Sequence, residues 1–254
     1  MLLCIDVGNT NITFGMYQGD QLGPHWRIRT IHDKMPDEYG ILMDRLIRHR
    51  GYQPEQISGV ALASVVPPLT PVLVQVCRDY VGREPLVVDA GIKTGVRIRY
   101  ENARDVGADR VVDAVAVRAM YGVPACVVDF GTATTFDAVS AEGDYLGGAI
   151  APGIGIAAQA LFERTAKLPR VELVRPPSVI GSNTAQSIQS GLLFGYVGLV
   201  EGMVARFKED LGPQTRVIAT GGLAETIARE TDCIDVVDPW LTLHGLRLVY
   251  EQNR

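Results

Sequence analysis

The chain has 254 residues, of which 47% are hydrophobic and 21% charged, with a formal net charge of −5. That balance fits a folded globular chain of one large or two smaller domains, and it excludes a general nucleic-acid binder, which concentrates Lys and Arg on one surface. Cys4, Cys77, Cys126 and Cys233 stand far apart without CxxC or Cys/His ligand spacing, which excludes the usual zinc and redox-pair patterns and leaves reduced, buried thiols as the expectation.

Met1 leads directly into the apolar run Leu2-Leu3-Cys4-Ile5, which breaks at Asp6 and has no basic region before it. The longest uncharged apolar stretch, near Leu192 to Val200, is too short to span a bilayer, so the expectation is a cytoplasmic protein without membrane contact. The first run reads as a buried strand that turns through Asp6-Val7-Gly8-Asn9-Thr10-Asn11 into a second strand from Ile12 to Met16. A helix is expected over Pro36 to Arg50, with Pro early and Gly51 beyond its end. A strand from Val60 to Ser64 follows, and after Tyr100-Glu101-Asn102 an apolar helical stretch runs from Arg110 to Met120.

The opening grammar then returns. Ala125-Cys126-Val127-Val128 runs into Asp129-Phe130-Gly131-Thr132, Phe136 to Val139 gives the return strand, and Val217 to Thr220 matches the earlier Val60 to Ser64. Two halves of similar order predict a duplicated α/β chain, with a boundary near the breakers Gly122 and Pro124 that divides it into 1–117 and 118–254. The last long helix is expected from about Ala185 to Leu211. It carries Gly191, Gly195, Gly198 and Gly202 on one face, where spacing alone favours close packing on the chain's own sheet over a subunit contact.

A nucleotide site needs a carboxylate near a metal and small residues that let N–H and hydroxyl groups approach phosphates, and Asp6-Val7-Gly8-Asn9-Thr10 supplies both. One copy equally suits a plain hairpin turn; the second copy at Asp129-Phe130-Gly131-Thr132 tips the reading towards phosphate binding. Ala219-Thr220-Gly221-Gly222 adds a glycine turn after a strand, where backbone can approach a base or ribose. No GxxxxGK[ST], GxSxG or HExxH is present, and His25, His32, His49 and His244 form no ligand pattern. Asp109 beside Arg110 suits an acceptor with a hydroxyl and an anionic group, the first taking a proton and the second pairing with the anion, although Asp109 as a helix cap is the plainer alternative.

The order of the three turns resembles the superfamily of sugar kinases, acetate kinases, actin and heat-shock chaperone ATPases. Together with Tyr100-Glu101-Asn102, Gly107-Ala108-Asp109-Arg110, Gly147 to Gly153 and Gly181-Ser182-Asn183-Thr184, the chain resembles the type III pantothenate kinases over nearly its whole length. The resemblance implies two duplicated actin-like (ribonuclease H-like) α/β domains with a nucleotide cleft between them. It further implies transfer of phosphate from ATP to pantothenate, giving 4'-phosphopantothenate, the first step of coenzyme A synthesis. Asp6, Val7, Gly8, Asn9, Thr10, Asn11, Ile12, Thr13 and Thr132 would bind ATP, with Asp6 near magnesium. Tyr100, Gly107, Ala108, Asp109, Arg110 and Thr184 would hold pantothenate, with Asp109 as proton acceptor, and Asp129 would hold a monovalent cation, potassium or ammonium. A homodimer is implied as well. The alternatives are another hydroxylated acceptor on the same fold, or an ATP-binding regulatory protein without turnover.

Overall fold

The computed structural model describes residues 1–89 and 91–254. The chain forms two compact units, Met1–Ala119 with Leu241–Arg254, and Met120–Trp240.

In the first unit, β1 (Leu2–Val7), β2 (Asn11–Gln18) and β3 (Gln21–Arg29) form an antiparallel meander, and β4 (Gly59–Ser64) and β5 (Leu86–Val87) extend it in parallel to give the order β3-β2-β1-β4-β5. Alternation along the strands decides which face each residue joins. Leu3, Ile5 and Val7 stand opposite Met16, Phe14 and Ile12 and are all fully buried. They form one core with Tyr39, Met43 and Ile47 of α1 (Pro36–His49) and Leu73 and Val76 of α2 (Thr70–Val76). α1 has Pro at its first position and a Glu38 side chain that accepts from the Met35 N–H at 2.9 Å, so its start is satisfied as the sequence leads one to expect. A π-helical turn, Cys77–Val81, continues α2. Its Tyr80 ring lies where a Cβ on Gly40 would stand, 2.2 Å away, so the absence of a side chain at Gly40 lets α1 approach it. α3 (Ala108–Met120) closes this part of the chain.

The second unit repeats the pattern. β6 (Ala125–Phe130), β7 (Ala133–Val139) and β8 (Tyr145–Pro152) form the meander, while β9 (Arg216–Gly221) and β10 (Val236–Val237) add in parallel. Its order, β8-β7-β6-β9-β10, is that of the first sheet element for element. Asp6 and Asp129 are each the next-to-last residue of the central strand, and each is paired with a threonine on the antiparallel side, Thr13 and Thr135. The duplication read in the sequence is therefore a structural repeat. α4 (Ile154–Glu163), α5 (Thr184–Leu211) and α6 (Ala224–Ala228) belong to this unit, and Ile188, Leu192, Leu193, Val197, Val200 and Val204 of α5 bury against Cys126, Val128, Phe136 and Ala219 of the sheet.

Two expectations need correction. The second unit ends at Trp240 rather than at 254, because α7 (Leu241–Gln252) returns to the first unit. Its apolar residues Leu241, Leu243, Leu246 and Val249 are buried, Tyr17 Oη lies 2.7 Å from His244 Nδ1, and the Tyr250 ring occupies the space beside Gly59 of β4. A pattern of sequential halves carries no sign of such a return. The glycine strip of α5 also does not pack on its own sheet, since nothing lies within 4 Å of a Cβ placed at Gly191, Gly195 or Gly198, all three of which are exposed. The helix is long and apolar enough to cross a membrane, yet its apolar side is the core of the second unit.

A Gly40→Val substitution should cost about 1–3 kcal/mol through overpacking against Tyr80, read as a lower urea midpoint with unchanged slope. An unchanged midpoint would show that this helix contact yields freely.

Candidate functional site

The turn between β1 and β2 is fixed from inside. The Gly8 N–H donates to the Asn11 carbonyl at 3.0 Å, and Thr30, buried just past β3, donates its hydroxyl to the Gly8 carbonyl at 2.6 Å and its N–H to the Thr10 carbonyl at 2.9 Å. Thr30 was not singled out by its sequence, which shows only a threonine after a strand. Asn9, Thr10 and Asn11 are left at the surface of a turn with a defined backbone. Val7 and Ile12 are fully buried in the core, so only their main chain can reach a ligand. Asp6 and Thr13 stand opposite one another on the face shared by Cys4 and Gly15, away from the face of Leu3, Ile5 and Val7.

The segment around Gly107 meets the same end of this sheet. Val65, whose N–H donates to the Val7 carbonyl at 3.0 Å, places a methyl group 3.2 Å from where a Gly107 Cβ would be. Gly107 and its neighbours thus lie at the carboxyl ends of β1 and β4, the usual place for ligands on α/β sheets. Gly107 immediately precedes α3, and its carbonyl accepts from the Val111 N–H at 3.2 Å. Asp109 is therefore inside the first turn, not the residue that caps it. Its Oδ1 accepts from the Arg110 N–H at 2.7 Å, where the helix N-terminus favours a carboxylate. A Cβ on Gly107 would stand 2.5 Å from that oxygen, so the bare glycine leaves open the space that the carboxylate occupies. Burial raises the Asp109 carboxyl above the usual range, with the Arg110 N–H and guanidinium pulling the other way. Ala108 and Arg110 are half-buried, whereas Tyr100 is 43% exposed on the preceding coil.

In the second unit, the corresponding end of the sheet gathers Asp129, Gly131, Thr132, Gly153 and Gly221. A Cβ on Gly221, which has φ 90°, would stand 2.3 Å from Asp129 Oδ1, and one on Gly131 3.2 Å from Oδ2. Two glycines from different strand ends thus flank the carboxylate. Gly153 donates its N–H to the Thr132 carbonyl at 3.1 Å, and a side chain there would strike that carbonyl at 2.2 Å. Thr132 itself is exposed beside it. The supporting role of Gly153 was not assigned from sequence, although its place in Gly147 to Gly153 was visible. Thr184 is elsewhere in this unit, exposed in the first turn of α5, where the Asn183 side chain accepts from the Gln186 N–H at 3.0 Å and so provides the cap.

Asp6 and Asp129 offer carboxylate oxygens, which suit hard cations. Among the described residues no cluster of three His, Cys, Asp or Glu side chains could hold a metal by itself. The cysteines are free; Cys4, Cys77 and Cys126 are buried, and burial pushes the Cys77 thiol up to about 12, so no reactive thiolate is present there.

The family model for type III pantothenate kinase matches residues 2–206. A type III pantothenate kinase of Moorella thermoacetica is 57% identical over 253 residues, covering 100% of both chains. Among solved structures, a Campylobacter jejuni protein described as a Baf family transcriptional activator superposes with a TM-score of 0.63 at 18% identity, covering 99% of this chain and 98% of the other. An inorganic polyphosphate/ATP-glucomannokinase from Arthrobacter does so with a TM-score of 0.52 at 16% identity, covering 99% and 98%; these likenesses show the fold alone, two duplicated actin-like domains. With full-length identity above half and a family model that matches residues 2–206, the chain belongs to the type III pantothenate kinase family.

Proposed function

We propose that the protein phosphorylates pantothenate with ATP, giving 4'-phosphopantothenate, in the cytoplasm. The observation that carries this reading is the Asp109 carboxylate, admitted by Gly107 into the first turn of α3 at the carboxyl end of β1 and β4, with the hairpin turn of Asp6 to Thr13 at the same end. Asp6 to Thr13 and Thr132 bind ATP, Val7 and Ile12 through main chain alone; Asp6 would hold the magnesium that neutralises phosphate charge, and Asp129 would hold the monovalent cation. Tyr100, Gly107, Ala108, Arg110 and Thr184 bind pantothenate, with Arg110 pairing with its carboxylate.

The primary hydroxyl oxygen of pantothenate attacks the γ-phosphorus while the bond to the β–γ bridging oxygen breaks, and ADP leaves. The hydroxyl proton passes to an Asp109 carboxylate oxygen. Such a transition state is loose, so positioning and charge neutralisation do most of the work and the base a smaller share. Burial raises the Asp109 pKa, which brings it nearer to the pKa a base needs and also makes the ionised form costly in the folded protein.

The test is ATP consumption coupled to mass detection of phosphopantothenate, with magnesium and potassium present. Asp109→Asn should lower turnover by about 10²- to 10⁴-fold while leaving ATP affinity within about twofold. Because the folded pKa of Asp109 is raised, its favourable contribution is present below the unfolded pKa and lost as pH rises through the folded one. Asp109→Asn should therefore be at least as stable as the wild type at pH 7, and this advantage should fade in acid. Parallel loss of ATP affinity would refute the role of Asp109. ATP binding by wild-type protein without product, with ammonium tried in place of potassium, would favour another acceptor or a regulatory role.

A homodimer is supported by the open face of α5 at Gly191, Gly195 and Gly198 and by exposed Ile150, Ile156 and Phe162 on β8 and α4. Gly195→Arg should shift the mass measured by light scattering from dimer to monomer. A wild-type monomer at micromolar concentration would contradict this assembly.

A further inference from the structure

The family model ends at residue 206, whereas α7 lies beyond it and packs on the first unit. Two contacts tie this helix to the segment that carries the acceptor residues. At Gly245, which is buried, a Cβ would stand 2.0 Å from the Val112 carbonyl oxygen and 2.5 Å from its carbon. This is backbone, which cannot rotate aside as a side chain would. Val112 is three residues after Asp109 in α3, about 4.5 Å along the axis. At the end of α7, Asn253 makes a two-way amide pair with Lys93: its Nδ2 donates to the Lys93 carbonyl at 2.8 Å, and its Oδ1 accepts from the Lys93 N–H at 3.1 Å. The chain between these anchors, from 93 to 112, contains Tyr100 and Gly107 to Arg110.

We infer that α7 is a positioning element for the acceptor site, with Gly245 and Asn253 as its positioning residues; the inference rests on the pantothenate kinase reading above. The bare backbone at Gly245 lets α7 touch the α3 backbone one turn from Asp109. That contact sets how far α3 lies from the sheet, while Asn253 fixes the start of the coil leading to Tyr100. A methyl group at 245 would force the helices apart by about 1 Å or more to reach an ordinary heavy-atom separation of about 3.5–4.0 Å. Misplacement of reacting groups by about 1 Å can cost about 10²-fold in rate.

The experiment compares wild type, Gly245→Ala, Asn253→Ala and Leu246→Ala. Leu246 is fully buried on the same helix, so its truncation lowers stability without placing an added atom against α3. Gly245→Ala should lower kcat/KM for pantothenate by about 10- to 100-fold, and Asn253→Ala should raise the pantothenate KM by about threefold or more, reflecting loss of the two hydrogen bonds to Lys93, along with a third to the Val249 carbonyl within the helix end. Affinity for ATP should stay within about twofold in both, as judged on the wild-type scale. Leu246→Ala should lower the melting temperature and leave the pantothenate KM unchanged. Hydrogen exchange of the amides from 107 to 120 should quicken in Gly245→Ala, a readout independent of turnover. Unchanged pantothenate kinetics in both Gly245→Ala and Asn253→Ala, an equal loss of ATP affinity, or the same acceptor defect in Leu246→Ala would overturn the inference. If wild-type protein made no phosphopantothenate, the kinase reading would fail, and unchanged exchange in Gly245→Ala would separately refute the helix contact.

Discussion

A missing Cβ at Gly107 decides where the Asp109 carboxylate can stand. Its oxygen occupies the space 2.5 Å from the position a side chain would take, in the first turn of a helix at the carboxyl end of the sheet. The second unit solves the same problem at Asp129, where Gly221 and Gly131 remove the side chains that would crowd its two oxygens. In both units a carboxylate is brought against main chain by glycines, so the sites depend on close backbone approach more than on a shell of polar side chains. A side chain at these glycines would displace the carboxylate beside it.

The repeat explains why these arrangements recur. Each sheet is a three-stranded meander with two parallel strands added, and each central strand places an aspartate one residue before its end. Side chains alternate along a strand, so the core residues Leu3, Ile5 and Val7 turn Asp6 to the opposite face, and Cys126, Val128 and Phe130 do the same for Asp129.

Much of this was legible in the residues. The paired hairpins, the strands that follow them at β4 and β9, and α1, α3 and α5 follow apolar runs and breakers, with bounds a few residues from expectation, whereas β3 and β8, which extend the hairpins into meanders, carry no such signal. The paired Asp-x-Gly turns marked both sheet ends. What stayed hidden was tertiary. Thr30 holds the first turn through two bonds to residues about twenty positions earlier, and nothing local distinguishes it from a threonine in a loop. The return of α7 depends on complementarity with α3 at Gly245 and with β4 at Gly59, contacts across more than a hundred residues. The glycine strip of α5 misled for a related reason: spacing identifies a smooth face, whereas what lies against it is set by the rest of the fold, and here the chain's own sheet takes the other side of the helix.

The central claim is that burial makes Asp109 a carboxylate with a raised pKa, suited to take the acceptor's proton. Carbon-13 NMR of aspartate-labelled protein, with Asp109→Asn to assign the signal, measures this directly. The account predicts a carboxyl resonance, absent from the variant, that titrates above the ordinary value of 3.8. A resonance titrating at or below that value would contradict it, since the carboxylate would then be solvated or paired rather than held by burial in the first turn of α3.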